Sequence, residues 1–305
     1  MASQPSPDDP QLKLKQFRPT KKFFVGIDSD GCAFNSMEVK HNDCFSVALV
    51  REYGLAAVSR QVHEAWDFVN LYSQNRGCNR FKAILFVLDH LKQMPRVKLA
   101  GVKVPELAAT RAWVKSDSNL SNARLKEVAA AATGEAKVEL DKLMTWSKLV
   151  NKFVEETVHN LPPFPGLRLA LPKLNEQADV LVVSATPAEA LEREWAEHGI
   201  DKHVALIAGQ EMGSKTEHLT LAAKGKYGPD HVLMVGDAPG DLKAARDVGA
   251  LFYPINPGAE ERSWERFVDE GIGRFFSQTY AGAYETSLID EFMKLLPHNP
   301  PWQIA

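Results

Sequence analysis

Charge of one sign, paired cysteines and long apolar runs are all missing from this chain of 305 residues. Its 36 Lys and Arg nearly balance 39 Asp and Glu, giving a formal net charge of -3 and a pI near 6.3. There is no positive surplus to attract nucleic acid or an anionic membrane surface, and neither partner is expected. Three cysteines (Cys32, Cys44 and Cys78) are too few and too scattered for a disulfide framework, and no Cys-x-x-Cys metal pattern occurs. A cytoplasmic location follows as the expectation. No apolar run approaches the roughly 18 residues of a membrane span, and the first residues hold no signal-peptide core. Internal repeats and long low-complexity segments are lacking too, and His41, His63, His90 and His159 show no metal-ligand spacing. What remains is an ordinary globular composition, 45% hydrophobic and 25% charged, long enough for one large domain or two smaller ones.

Against that plain background one stretch stands out. The apolar run Phe23-Phe24-Val25-Gly26-Ile27 closes on Asp28-Ser29-Asp30-Gly31. Such a run predicts a strand buried on both faces of a parallel sheet. Residues two apart on a strand point the same way, so Asp28 and Asp30 share one side, before a glycine that permits a sharp turn. Two adjacent carboxylates repel each other, and a hard divalent cation is the usual compensation.

The rest of the chain supplies a frame. Residues 1–20 carry four prolines and little periodicity, and are expected to be a flexible tail in which Phe17 can dock. From Ser36 to about Asn160 the pattern is helical, with apolar residues recurring at three and four over 58–72, 81–91, 120–133 and 135–158. Trp66, Trp113 and Trp146 fall at helical spacing and are expected to pack in that module. Leu161-Pro-Pro-Phe-Pro-Gly166 interrupts it. Strands are then predicted at 180–184, 204–208, 231–235 and 251–253, alternating with helices over 167–177, 187–198 and 214–223. That alternation implies parallel βαβ units and a doubly wound α/β sheet. The expected domains are an α/β core from 21–36 and 162–296, an inserted all-helical cap over 37–161, and tails at 1–20 and 297–305.

Four predicted strand ends carry reactive groups. Asp28 and Asp30 follow the first. Val183-Ser184-Ala185-Thr186-Pro187 ends the second, leaving a hydroxyl and backbone N–H groups at a helix start, which suits an anion. Gly213-Ser214-Lys215 places an ammonium after the third, and Gly236-Asp237-Ala238-Pro239-Gly240-Asp241 adds two carboxylates after the fourth. Singly, each is an ordinary cap, turn or surface group. At the same edge of one sheet they form a constellation.

This arrangement resembles the haloacid dehalogenase-like superfamily, specifically the phosphatase and phosphomutase branch with a helical cap after the first strand. The resemblance covers about residues 22–36 and 162–275 of the core; the cap matches in position and helical character only. It implies that Asp28 is a nucleophile forming an aspartyl-phosphate and that Asp30 is the general acid/base. Mg2+ would be held by Asp28, the backbone carbonyl of Asp30 and Asp237, with Asp241 acting through water or as a direct ligand. Ser184 and Lys215, with Ala185 and Thr186, would hold the phosphoryl oxygens. Asp30 argues against true dehalogenases, which lack a carboxylate two residues after the nucleophile, and against phosphonate hydrolases, which usually lack it.

In the cap, Arg76 and Arg80 flank Gly77 between two helices. At least one is expected to face the active site and read a second anionic group. The implied function is a Mg2+-dependent phosphatase for a small phosphorylated metabolite, in a monomer or homodimer. The alternatives are a phosphomutase with the same residues and a non-catalytic binder of a phosphorylated ligand.

Overall fold

The computed structural model describes residues 9–117 and 119–303. The chain divides into two compact units, Met1–Ser36 with Asn160–Leu295 and Met37–His159 with Leu296–Ala305.

The first unit is built on a five-stranded parallel sheet. Its strands are β1 (Phe23–Ile27), β2 (Ala178–Val183), β3 (Leu206–Ala208), β4 (Val232–Gly236) and β5 (Leu251–Pro254), in the order β3-β2-β1-β4-β5. All five residues of β1 and all six of β2 are buried, as expected for strands covered on both faces. Helices at Pro165–Asn175, Ala188–Glu197, Lys215–Ala222 and Pro239–Val248 separate the strands in sequence. From β1 the chain goes outward on one side to β2 and β3, then returns to β4 on the other. This makes the carboxyl end of β1 the point where strand order reverses, the usual ligand position in an open α/β sheet. Gly26 keeps that centre thin: a Cβ there would come within 3.1–3.2 Å of Val183, Leu219 and Met234.

Strand β2 begins two residues earlier than its apolar run, because Ala178 and Asp179 pair with Phe23 and Phe24. The buried Asp179 carboxylate accepts from the Thr20 N–H (2.9 Å), the Thr20 hydroxyl, the Lys21 N–H (3.1 Å) and the Tyr227 hydroxyl (2.7 Å). Much of the stretch expected to be a flexible tail is therefore anchored. Residues 12–16 form a helix, Leu14 is fully buried, and the Phe17 ring meets Phe24 edge-on at 6.5 Å. The first eight residues of that expected tail lie outside the described residues.

The second unit is helical. Its main helices are Ser46–Tyr53, Ser59–Asn70, Arg80–Gln93, Ala108–Ser116, Asn122–Ala131 and Gly134–Thr157. Ser121 caps the fifth, its hydroxyl accepting from the Arg124 N–H at 3.2 Å. Trp66, Trp113 and Trp146 are buried in this unit's own core, with Phe81 edge-on to Trp113 at 5.0 Å and to Trp146 at 6.4 Å. The carboxyl-terminal stretch, expected to be loose, packs here as well: Trp302 stands edge-on to Phe68 at 5.5 Å and to His90 at 5.8 Å. No helix among the described residues is long and apolar enough to cross a membrane.

Candidate active site

Three adjacent strands, β2, β1 and β4, end side by side. Ile27 pairs with Val182 on one side and Val235 on the other, and the Asp28 N–H still donates to the Val235 carbonyl at 3.0 Å. Asp28 thus leaves β1 in a fixed position, buried, with the Ser29 N–H donating to its Oδ1 at 2.8 Å. Gly31 then turns the chain at φ 77°, a conformation open to glycine at little cost.

Strand β4 delivers two further carboxylates through a tight fold-back. Asp241 Oδ2 accepts from the N–H groups of Asp237 (3.2 Å) and Ala238 (3.0 Å), closing the loop onto the start of the helix Pro239–Val248. Gly236 makes this possible by close approach, since a Cβ there would lie 2.5 Å from Asp241 Cβ. The carboxylate oxygens of Asp28, Asp237 and Asp241 come within 4.8 Å of one another, and all three residues are buried.

Lys215 stands at the first position of the helix Lys215–Ala222, which Ser214 and Glu217 start with a reciprocal capping box. Its ammonium lies 2.7 Å from Asp28 Oδ2 and 2.5 Å from Asp241 Oδ1. Burial pulls the Lys215 ammonium down, but Asp241 and Asp28 outweigh it and hold the amine firmly protonated. Burial pushes the Asp28 carboxyl well up; Lys215 offsets part of this, while Asp241 and Asp237 push further in the same direction. Three buried carboxylates against one ammonium leave a surplus of negative charge. A hard divalent cation matches both that surplus and the all-oxygen donor set.

Asp30 is half-buried, with both carboxylate oxygens held. Ser36 donates to Oδ1 and Thr186 donates to Oδ2 at 2.8 Å. Ser184 is buried at the end of β2, where its hydroxyl accepts from the Thr186 N–H at 3.2 Å. Of the residues singled out from sequence, Asp28, Lys215, Asp237 and Asp241 form one cluster, while Thr186 and Asp30 are directly bonded. Ser36 was not foreseen, and its place just past the Asp-x-Asp turn was the available signal. Glu217 was also missed, although Ser-x-x-Glu at 214–217 is a capping-box pattern.

The two arginines are engaged inside the helical unit. Arg76 is buried and donates to the Leu71 carbonyl at 2.9 Å. Arg80 donates to the Ser147 carbonyl (3.3 Å), the Ser147 hydroxyl (3.2 Å) and Asn151 Oδ1 (2.6 Å), and its guanidinium stacks over the Phe45 ring at 5.0 Å. Burial lowers the Arg80 pKa to about 10.

Comparison with known proteins agrees with this geometry. The family model described as haloacid dehalogenase-like hydrolase matches residues 106–253. That span contains Ser184, Lys215, Asp237 and Asp241; β1 with Asp28 and Asp30 lies upstream of it. No curated protein sequence matches the chain. Among solved structures, a predicted phosphoglycolate phosphatase from Haemophilus somnus is 15% identical over 77% of this chain and 86% of its own, with a TM-score of 0.42. A haloacid dehalogenase-superfamily hydrolase from Geobacter sulfurreducens is 15% identical over 78% and 89%, TM-score 0.39. A haloacid dehalogenase-like hydrolase from Streptococcus pneumoniae is 12% identical over 81% and 92%, TM-score 0.40. Likenesses this distant add nothing to the chemistry, which rests on the strand-end residues and the family match. The matched span is just under half of the chain, and over it the chain is similar to haloacid dehalogenase-like hydrolases.

Proposed function

We propose that this protein is a Mg2+-dependent phosphatase that hydrolyses a small phosphorylated metabolite through an aspartyl-phosphate on Asp28. The observation that carries the proposal is the buried Asp28 carboxylate, 2.7 Å from Lys215 and within 4.8 Å of Asp237 and Asp241 at the carboxyl end of the central strand. An anionic nucleophile attacks an anionic ester only where charge is neutralised around both.

Asp28 attacks phosphorus; the phosphorus–oxygen bond to the leaving alcohol breaks, and Asp30 gives that oxygen its proton. Asp30, then a carboxylate, takes a proton from the water that cleaves the aspartyl-phosphate, so phosphate leaves, Asp28 is again a carboxylate and Asp30 is again protonated for the next cycle. Thr186 and Ser36 keep Asp30 oriented for both transfers. Lys215 and Ser184 hold phosphoryl oxygens. Asp28, the Asp30 carbonyl and Asp237 would hold Mg2+, which when bound would supply the remaining positive charge. With Lys215 on its Oδ1 and two backbone N–H groups on its Oδ2, Asp241 is better suited to order the loop than to bind the ion directly. The proposal rests on the α/β unit alone and assigns no role to Arg76 or Arg80.

The test is phosphate release from a generic aryl phosphate, with Mg2+ and with chelator, followed by a panel of phosphorylated metabolites. Magnesium-dependent release that disappears in Asp28→Asn, with the fold intact by circular dichroism, is the expected result. Appreciable turnover by Asp28→Asn would refute the nucleophile assignment.

A further inference from the structure

The anchored amino-terminal segment touches the loop that presents Lys215. Asp9 starts its short helix, its carbonyl accepting from the Leu12 N–H and its side chain from the Gln11 N–H (2.9 Å) and Lys15 (2.7 Å). This turn directs the half-buried Gln11 side chain at the loop over 210–214. There the Gln11 amide donates to the Met212 carbonyl at 3.0 Å, and its Nε2 stands 3.0 Å from the place a Cβ would occupy on Gly213. Glu217 Oε2 crowds the same Gly213 position at 2.7 Å, and Glu217 closes the capping box with Ser214 at 2.8 Å. Behind Gln11 the segment is fixed by buried Leu14, by Lys226 donating to the Phe17 carbonyl at 2.9 Å, and by Asp179 holding Thr20.

Met212, Gly213, Ser214 and Glu217 set where the helix begins and hence where the Lys215 ammonium lies. That ammonium serves two carboxylates at 2.5–2.7 Å, a geometry with little slack.

We propose that Gln11 is a positioning residue for Lys215, making the amino-terminal segment part of the active-site scaffold. This inference rests on the phosphatase function proposed above. Gln11 touches neither Asp28 nor the phosphoryl group; it acts by holding the turn from which Lys215 projects. Small displacements of a charge aimed at a reacting group lower turnover more than ground-state binding.

Gln11→Met keeps the side-chain length and removes both donors. The measurements are kcat and KM on an aryl phosphate with Mg2+, the thermal midpoint, and amide hydrogen exchange over 212–217. The expected outcome is a kcat lowered roughly tenfold with KM changed less than about twofold, faster exchange over 212–217, and a midpoint little altered. In a Lys215→Arg background the same substitution should add no further loss, because coupled residues are non-additive. Wild-type kcat and exchange in Gln11→Met would overturn the inference, as would an undiminished loss in the Lys215→Arg background. A wild-type protein that turns over no phosphate ester would remove the phosphatase reading and this inference together, whereas active wild type with an indifferent Gln11→Met removes the inference alone.

Discussion

Lys215 bridges Asp28 and Asp241, so its charge both stabilises the fold and prepares the site. Replacing it with methionine leaves two buried carboxylates without their shared cation, and losing one partner of a buried ion pair costs about 3–5 kcal/mol. Lys215→Met should therefore unfold at lower urea and lose turnover; equal stability to wild type would show that the carboxylates find another partner. Gly236 offers a second test at the same scale. The added Cβ of Gly236→Ala meets Asp241 Cβ at 2.5 Å, and the clash must be relieved by moving the loop that carries Asp237 and Asp241. Overpacking of this kind costs about 1–3 kcal/mol. The expected result is a destabilised protein that needs more Mg2+ for half-maximal activity, and an unchanged Mg2+ requirement would contradict it.

Among the elements, β2 has the unusual task of carrying a charge near its buried start. Burial alone would raise the Asp179 pKa, but its bonds from Thr20, Tyr227 and Lys21 bring the carboxyl below the ordinary carboxylate range. A group with a lowered folded pKa contributes stability that is complete above its unfolded pKa near 3.9 and is lost as pH falls through its folded value. Asp179→Asn should cost about 1.5–3 kcal/mol at pH 7 and make the acid limb of the stability profile shallower below about pH 4. Parallel wild-type and variant profiles across that range would exclude a charged role for Asp179. Because this residue anchors Thr20, the same variant should speed amide exchange over residues 12–20.

On the scale of the whole molecule, two separate cores carry two sets of tryptophans. Trp195 and Trp264 belong to the α/β core, and Trp66, Trp113, Trp146 and Trp302 to the helical one. The proposed cation binds only the folded α/β unit, so at a hundred times its dissociation constant it adds about 2.7 kcal/mol there. Thermal unfolding followed in a variant that keeps only Trp195 and Trp264 should shift upward with Mg2+, reverse with chelator, and lose the shift in Asp237→Asn. A midpoint indifferent to Mg2+ would argue against a cation at these carboxylates.

Sequence alone determined the frame because its signals are local. Apolar runs ending in Asp28, Ser184 and Asp237 marked β1, β2 and β4, since strands buried on both faces need continuous apolar residues. The four strand-end motifs named the cluster residues because a parallel sheet brings its carboxyl ends to one edge. Helical periodicity marked the inserted unit, and its tryptophans packed as expected. Elements after β5 went unread: the helices at Glu260–Arg266 and Ala283–Lys294 lack strong signals at their ends. Only the tertiary structure decided the rest, all of it resting on partners far apart in the chain. Asp179 looked like a residue before a strand until Thr20 and Tyr227 came to it. Gln11 lay in a proline-rich tail until it met Met212, 201 positions away. Arg80 stood in an interhelical loop of the sequence, and its contacts with Ser147, Asn151 and Phe45 come from segments 67, 71 and 35 positions away. Hydrophobic pattern fixes which segments form strands and helices; which polar side chains then meet is set by packing between distant segments, and no local spacing records it.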